Sequence, residues 1–335
     1  MIRTLTLRNF RGVREGELRL APLTVLVGPN NSGKSSVLEA LFLAPNPLRI
    51  VRYLGGGNRC AAEALRTIHS RVGESGYGFL LHNYTVGECE IKCDGYSLRM
   101  RVDRDYINLF VRSPSSTEPT RIGALSLSGN TSATAEGDVR EKVYLGERVV
   151  MFTHALLGEY FGFVRREWIR ITNSGIAIRV AGELSELVSE RYVDMTFEPF
   201  MGGSFSLYVL LEGGRRVRVG DLGDGAQIYL IARIVCELER PTVLLWDDVE
   251  AHLNPRAILR LAEWFSELVE GGTQVIVSTH SLEATGIISA VNDYSKILLL
   301  SLRNGKLEGR EMSAEEVKEL YEAGIDIRMA GDLLL

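Results

Sequence analysis

Apolar and polar positions alternate through the opening residues: Ile2, Leu5 and Leu7, a polar turn from Gly12 to Gly16, then Leu18 and Leu20. That period of two predicts an antiparallel hairpin. "LTVLVG" (Leu23–Gly28) is apolar almost throughout, the pattern of a short buried strand. From Gly33 the apolar residues Val37, Leu38, Leu41 and Phe42 recur at helical spacing, and the pattern stops before "APNP". A strand, a glycine-rich turn and a helix therefore follow one another directly.

The middle of the chain has a weaker rhythm. A helix is expected over Cys60–Arg71, and Glu88–Arg112 alternates like strands joined by turns at Asp94-Gly95 and Asp103–Asp105. "SPSSTEP" (Ser113–Pro119) and "SGNTSATAEGD" (Ser128–Asp138) are polar and turn-rich, as exposed loops are. Gly158–Arg170 and Ser174–Arg191 read as mainly helical. We take residues 49–190 as an inserted lobe of mixed α and β structure between an N-terminal part, 1–48, and a C-terminal part, 191–335.

A clear alternation returns after residue 190. Strands are expected near Met195–Phe197 and Ser204–Leu211, a helix over Gly225–Glu239, and a strand in "TVLLWDD" (Thr242–Asp248). A helix over Pro255–Val269, a strand in "TQVIVSTH" (Thr273–His280), a helix after Ser281 and a strand in "KILLLSL" (Lys296–Leu302) complete it. Strands alternating with helices imply a parallel sheet, so the fold class is α/β. Ser313 with Glu316 forms a capping box that opens a last helix, Gly324 can close it, and "GDLLL" at residues 331–335 reads as a fraying tail.

In open α/β sheets ligands gather beyond the carboxyl ends of strands, so the chemistry is sought there. Gly28, Gly33, Lys34 and Ser35 fit G-x-x-x-x-G-K-[ST], in which backbone amides wrap phosphates, the lysine reaches the outer ones and the hydroxyl binds Mg²⁺. An apolar strand ending in Asp247 and Asp248 beside such a loop is the arrangement that holds Mg²⁺, with Asp247 orienting the metal and Asp248 the attacking water. His280 ends a third strand.

Composition narrows the setting. A chain of 335 residues with net charge −5 suits a globular protein and argues against coating nucleic acid by bulk charge. No apolar run approaches the roughly 18 residues of a membrane span and the N-terminus lacks the apolar core of a secretory signal, so the expected compartment is cytoplasmic, without a membrane partner. Cys60, Cys89, Cys93 and Cys236 lack metal-site spacing. The arginines in "GGRRVRVG" (Arg215, Arg216, Arg218) and "RREWIR" (Arg165, Arg166, Arg170) could track a phosphate backbone, although a solvated charged face explains them more simply.

The ordered set "GPNNSGKSS", "DLGDGAQ" (Asp221–Gln227), "LLWDDVEAHLNP" (Leu244–Pro255) and "VIVSTHS" (Val275–Ser281) resembles the ABC-type ATPase superfamily. The segments look like its Walker A, signature, Walker B with D-loop, and switch-histidine motifs. The opening 43 residues resemble the branch containing RecF, SMC and OLD (overcoming lysogenisation defect) proteins rather than transporter subunits. The implied fold is an ABC-type P-loop NTPase head with a mainly parallel core sheet, an antiparallel N-terminal β-subdomain and an inserted lobe. The implied mechanism is an ATP-dependent homodimer in which two heads sandwich two ATP molecules.

By that resemblance Arg11, Asn30, Asn31, Ser32, Gly33, Lys34, Ser35 and Ser36 bind nucleotide, and Gly223, Asp224 and Gly225 bind the nucleotide of the other protomer. Lys34, Asp248 and His280 are the implied catalytic residues, and Ser35 and Asp247 the metal ligands. Two departures stand out. Asp248 replaces the family's usual glutamate, implying slow hydrolysis, and Gly223 stands where a signature serine is usual, a form that OLD-like members tolerate.

The implied purpose is DNA repair or defence against foreign DNA, with DNA or a separately encoded nuclease as partner. Only about 35 residues follow "KILLLSL", too few for the TOPRIM nuclease domain of many OLD proteins. Two other readings are a nucleotide-gated binding switch with little turnover and a transporter's ATPase subunit. The "NFRG" hairpin and the lack of a recognisable Q-loop count against the latter.

Overall fold

The computed structural model describes residues 1–70, 76–116, 118–127, 133–135, 137–142, 145, 147–188 and 190–328. The tail "GDLLL" lies outside them, as does part of "SGNTSATAEGD".

The opening hairpin pairs β1 (Thr4–Phe10) with β2 (Val13–Arg19), and the apolar run forms β3 (Leu23–Val27), buried at every position. Helix α1 (Lys34–Leu43) follows the glycine-rich turn, and α2 (Ala61–His69) starts where Cys60 N–H donates to the Glu63 carboxylate. Strands β4 (Glu88–Cys93), β5 (Tyr96–Asp103), β6 (Tyr106–Arg112), β7 (Thr120–Ser126) and β8 (Ala133–Ala135) then form an antiparallel meander. Asp94 and Arg104 occupy the left-handed region at its two tight turns, near φ 52° each. The loop reading of Ser128–Asp138 is corrected at Ala133–Ala135, which pairs with β7. Its small residues carry little strand signal of their own.

Strand β9 (Val149–Phe152) precedes α3 (Leu157–Arg166), α4 (Trp168–Asn173) and α5 (Ile176–Leu187). The helix expected over Gly158–Arg170 is two helices, broken at Glu167. Strands β10 (Tyr192–Pro199), β11 (Phe205–Leu211) and β12 (Arg216–Arg218) make a small separate sheet. Next come α6 (Asp224–Glu239), β13 (Val243–Trp246), α7 (Pro255–Glu270), β14 (Gln274–Thr279), α8 (Leu282–Ala290), β15 (Ser295–Arg303), β16 (Lys306–Met312) and α9 (Ala314–Glu322). Ser313 caps α9 by accepting from Glu316 N–H at 3.0 Å, while the Glu316 carboxylate turns to Arg310.

Among the described residues the main sheet has thirteen strands in the order β8-β7-β6-β5-β4-β1-β2-β16-β15-β3-β14-β13-β9. The core β15-β3-β14-β13-β9 is parallel throughout. Antiparallel pairing governs the far side, from β2 to β8. The strands of 88–135 thus extend the N-terminal hairpin's sheet, and β9 closes the edge of the parallel core. Parallel strands covered on both faces are mainly apolar, as β3, β13 and β14 are, and the polar groups that can meet a ligand lie at their carboxyl tips.

Candidate nucleotide site

Three adjacent core strands end at one place. β3 runs into Gly28, β13 into Asp247 and β14 into His280. Gly28 holds φ 154°, and a Cβ there would lie 2.5 Å from the Leu300 carbonyl oxygen, so only glycine lets the chain leave β3 so close to β15.

Gly33 caps α1 in the left-handed conformation at φ 95°. Val37 N–H bonds back to the Gly33 carbonyl at 2.9 Å, and no protein acceptor takes the N–H groups of Gly33, Lys34, Ser35 or Ser36 among the described residues. These are the orphan donors of a helix start, carrying partial positive charge into the turn. Ser32, Gly33, Lys34 and Ser36 are buried, whereas Asn30 and Asn31 are exposed, Asn31 in the left-handed region at φ 64°. Lys34 Nζ donates to the carbonyls of Gly28 and Pro29, 2.9 Å each. Burial lowers its pKa, against the raising effect of Asp248, Asp247 and Glu250.

The acidic tip meets this loop directly. Ser35 Oγ donates to Asp247 Oδ1 at 3.3 Å, and Ser278 Oγ donates to the same oxygen at 2.5 Å. Asp247 N–H bonds to the Phe152 carbonyl at 2.9 Å, so edge strand β9 sets its position. Burial pushes the Asp247 carboxyl above its ordinary value; the Ser278 and Ser35 hydroxyls oppose this, and Asp248 adds to it. A half-buried carboxylate in no ion pair among the described residues, beside a serine hydroxyl, is an all-oxygen donor set suited to a hard cation. The residues present therefore fit Mg²⁺.

Asp248 adopts the left-handed conformation at φ 52°, uncommon for a non-glycine residue and concentrated at functional sites. Its N–H donates to Ser278 Oγ at 2.9 Å, and its exposed carboxylate lies 3.6 Å from His280 Nε2. The remaining expected residues lie apart from this cluster. Arg11 Nη1 pairs with Glu39 on α1 at 2.8 Å, and Glu39 also takes His69 Nε2 at 3.0 Å. Gly223 and Asp224 are exposed at the start of α6, whose first turn rests on the D-loop: a Cβ on Gly225 would lie 2.5 Å from the His252 carbonyl oxygen.

Four participants escaped the sequence reading: Glu39, Glu250, Ser278 and His252. Glu39 sits among apolar positions of a helix that is buried on nearly every side, a charge that needs a partner. Ser278 ends the apolar run Val275–Val277 of β14 opposite the acidic tip, which is the signal that could have found it.

Known proteins resemble the chain in parts. A family model described as "AAA ATPase domain" matches residues 1–88, and one described as "AAA domain, putative AbiEii toxin, Type IV TA system" matches residues 138–285. The DNA replication and repair protein RecF of Edwardsiella ictaluri is 40% identical over 99 residues, 27% of this chain and 26% of that protein. The OLD nuclease of Thermus scotoductus is 44% identical over 43 residues, 13% of this chain and 8% of that protein. The chain spans about a quarter or less of the curated relatives it matches. An Smc head domain from Pyrococcus furiosus, solved with the C-terminal domain of ScpA, superposes with TM-score 0.55 at 14% identity, covering 96% of this chain and 98% of that one. That last likeness is one of fold. Together with the motif order, these likenesses support an ABC-type ATPase of the RecF, SMC and OLD branch.

Among the described residues no helix is long and apolar enough to cross a membrane, and no cluster of His, Cys, Asp and Glu could hold a metal by itself. The four cysteines are buried thiols, and burial pushes Cys60 up to about 12.

Proposed function

We propose that the chain binds MgATP at this site and hydrolyses it slowly to ADP and phosphate as an ATP-dependent homodimer. The observation that carries the reading is the meeting of Ser35 and Asp247, 212 positions apart, across 3.3 Å beside four free amides. Nucleotide phosphates take those amides and draw the Lys34 ammonium from its two carbonyls onto the β- and γ-oxygens. Ser35 and Asp247 hold Mg²⁺, which when bound neutralises charge on the phosphate oxygens. Asp248 orients the attacking water and accepts its proton, and His280, facing Asp248, stabilises the charge that develops on the γ-phosphate.

Arg11 enters this reading conditionally, since it must leave Glu39 to reach the nucleotide. Gly223, Asp224 and Gly225 serve the nucleotide of a second copy, because the exposed start of the sixteen-residue α6 presents free amides outward. We assign the chemistry to residues 1–48 and 191–335, with β9 of the 49–190 segment positioning Asp247. The relatives' names, DNA replication and repair protein and nuclease, support a role in DNA repair or defence in the cytoplasm, with DNA or a separately encoded nuclease as partner.

Phosphate release and light-scattering mass, each with and without ATP, test this reading. The expected result is a monomer that becomes a dimer with ATP and releases phosphate. A wild-type chain that stays monomeric and releases none would overturn it. The short, exposed side chain of Asp248 favours a second reading, a nucleotide-gated switch that dimerises but scarcely turns over.

A further inference from the structure

The His280 peptide lies just past the end of β14, where the sheet no longer pairs its backbone. Charged side chains take over on both sides. His280 N–H donates to Glu250 Oε1 at 2.6 Å, and its carbonyl accepts from Arg328 Nη1 at 2.8 Å. Hydrogen bonds with one ionised partner are roughly twice as strong as neutral ones, so this is a firm grip on a single residue. α8 starts immediately beyond, with Ser281 Oγ accepting from Ala284 N–H at 3.1 Å. A shift of His280 must therefore break one of the two contacts or drag the helix.

Arg328 is held for this contact. Asp326 receives its Nε at 2.9 Å and its Nη2 at 2.6 Å, a bidentate pairing that leaves Nη1 for the His280 carbonyl. Ile327 between them is 1% exposed, which anchors the segment in the core. Glu250 lies on the D-loop, and its second oxygen, Oε2, is buried without a hydrogen-bond partner among the described residues. A buried acceptor left in that state is costly. Its charge also reaches Lys34.

We infer that Glu250 and Arg328 are positioning residues for His280, and that Asp326–Arg328 is thereby coupled to occupancy of the nucleotide site. The inference rests on the role proposed above for His280. The ring Nε2 sits 3.6 Å from Asp248 Oδ1, so the two grips on the main chain set where that imidazole stands relative to the acid. Coupling of this kind is reciprocal: a ligand that moves His280 changes how tightly Asp326–Arg328 is held, and loosening that segment changes His280.

Hydrogen exchange of the full chain, read by mass spectrometry, tests the grip without requiring turnover. In Arg328→Ala, exchange across Ser278–Leu282 should rise about tenfold while β13 stays protected, and Arg328→Lys should recover part of the loss. Wild-type chain with ATP and Mg²⁺ should change its exchange over Asp326–Arg328. In turnover assays both Arg328→Ala and Glu250→Gln should lower kcat about tenfold with KM within about twofold, as expected for transition-state positioning. Unchanged exchange over Ser278–Leu282 in Arg328→Ala overturns the inference whatever the wild type does with ATP. Should that variant not fold, Glu250→Gln takes its place under the same criterion. Normal kcat in both variants of an active enzyme also overturns it and leaves the ATPase reading intact, whereas a wild type without turnover counts against that reading alone.

Discussion

The chain builds two helix starts from glycine-rich turns, and they have different surroundings. At α1 the end of the turn, Ser32 and Gly33, is buried, Lys34 is folded into it, and the carboxylate just past β13 arrives at 3.3 Å. At α6 Gly223 and Asp224 face solvent, and the turn rests on its own D-loop: Asp224 lies 3.6 Å from His252 Nδ1, and the His252 ring packs 4.6 Å from that of His154. Free amides and partial charge are common to both. Among the described residues the first alone has a lysine folded into its turn and a strand-tip carboxylate against its serine, because it lies where three core strands end. What converges on a helix start sets what chemistry it can do, and in the proposed function the second start meets its ligand only in a second copy.

Lys34→Ala attacks the first start and has the largest expected effect. Without the ammonium the β- and γ-charges are met by amides alone, so ATP affinity should fall about a hundredfold or more, measured with a fluorescent analogue. Unaltered affinity would place the nucleotide elsewhere. Asp248→Asn should lower phosphate release about a hundredfold while ATP-held dimers persist in light scattering. Equal release would move the water-positioning role off Asp248 and favour the switch.

The second start is probed by two glycines with opposite surroundings. At Gly225 a Cβ meets the His252 carbonyl at 2.5 Å, a backbone atom that cannot swing aside, whereas at Gly223 nothing lies within 4 Å. Gly225→Ala should cost about 1–3 kcal/mol of stability and lower turnover about tenfold, with ATP affinity kept. Gly223→Ala should leave the melting temperature within about 1 °C, as surface changes usually do. If turnover nevertheless falls in Gly223→Ala, the exposed turn works in trans; if neither variant alters turnover, α6 has no part in the chemistry.

Much of this comparison was legible before any coordinates, and the rest was not for identifiable reasons. The parallel core announced itself because strands buried on both faces carry apolar runs: β3, β13 and β14 read from "LTVLV", "VLLW" and the "VIV" of "QVIVST". Their polar tips then marked Gly28, Asp247 and His280. Strand β16 carries four charged residues in seven and escaped notice, since one face looks to solvent and its register comes from β15. β9 was missed because a four-residue apolar run fits a strand or a buried helix turn equally well. Arg11 was legible as a functional candidate but not in its present place, because its partner Glu39 is fixed by the packing of α1 rather than by any spacing between them. Arg328 escaped for the same reason: its contact with His280 spans 48 positions and involves a main-chain carbonyl, which leaves no trace in residue type.

The smallest predicted effect concerns the cost of keeping the first start ready. Burial raises the Asp247 carboxyl above its unfolded value, so the native state binds that proton more tightly than the unfolded chain does. The stabilising contribution of this proton is fully present below the unfolded pKa, near 3.9, and is lost as pH rises through the higher native value. At neutral pH and without a cation the ionised Asp247 therefore works against folding. Asp247→Asn keeps an oxygen for Ser35 and Ser278 and removes the charge, so the nucleotide-free melting temperature at pH 7 should rise by about 1–3 °C. That gain should shrink on acidification, as the wild-type acid takes up its proton. In the same variant the extra stabilisation that Mg²⁺ gives to the ATP-bound protein should disappear. Scanning calorimetry at several pH values, with and without MgATP, separates the two effects. A variant that melts below the wild type at pH 7 with the Mg²⁺ increment intact would mean that Asp247 is a structural acid, and would remove the metal from the contrast between the two helix starts.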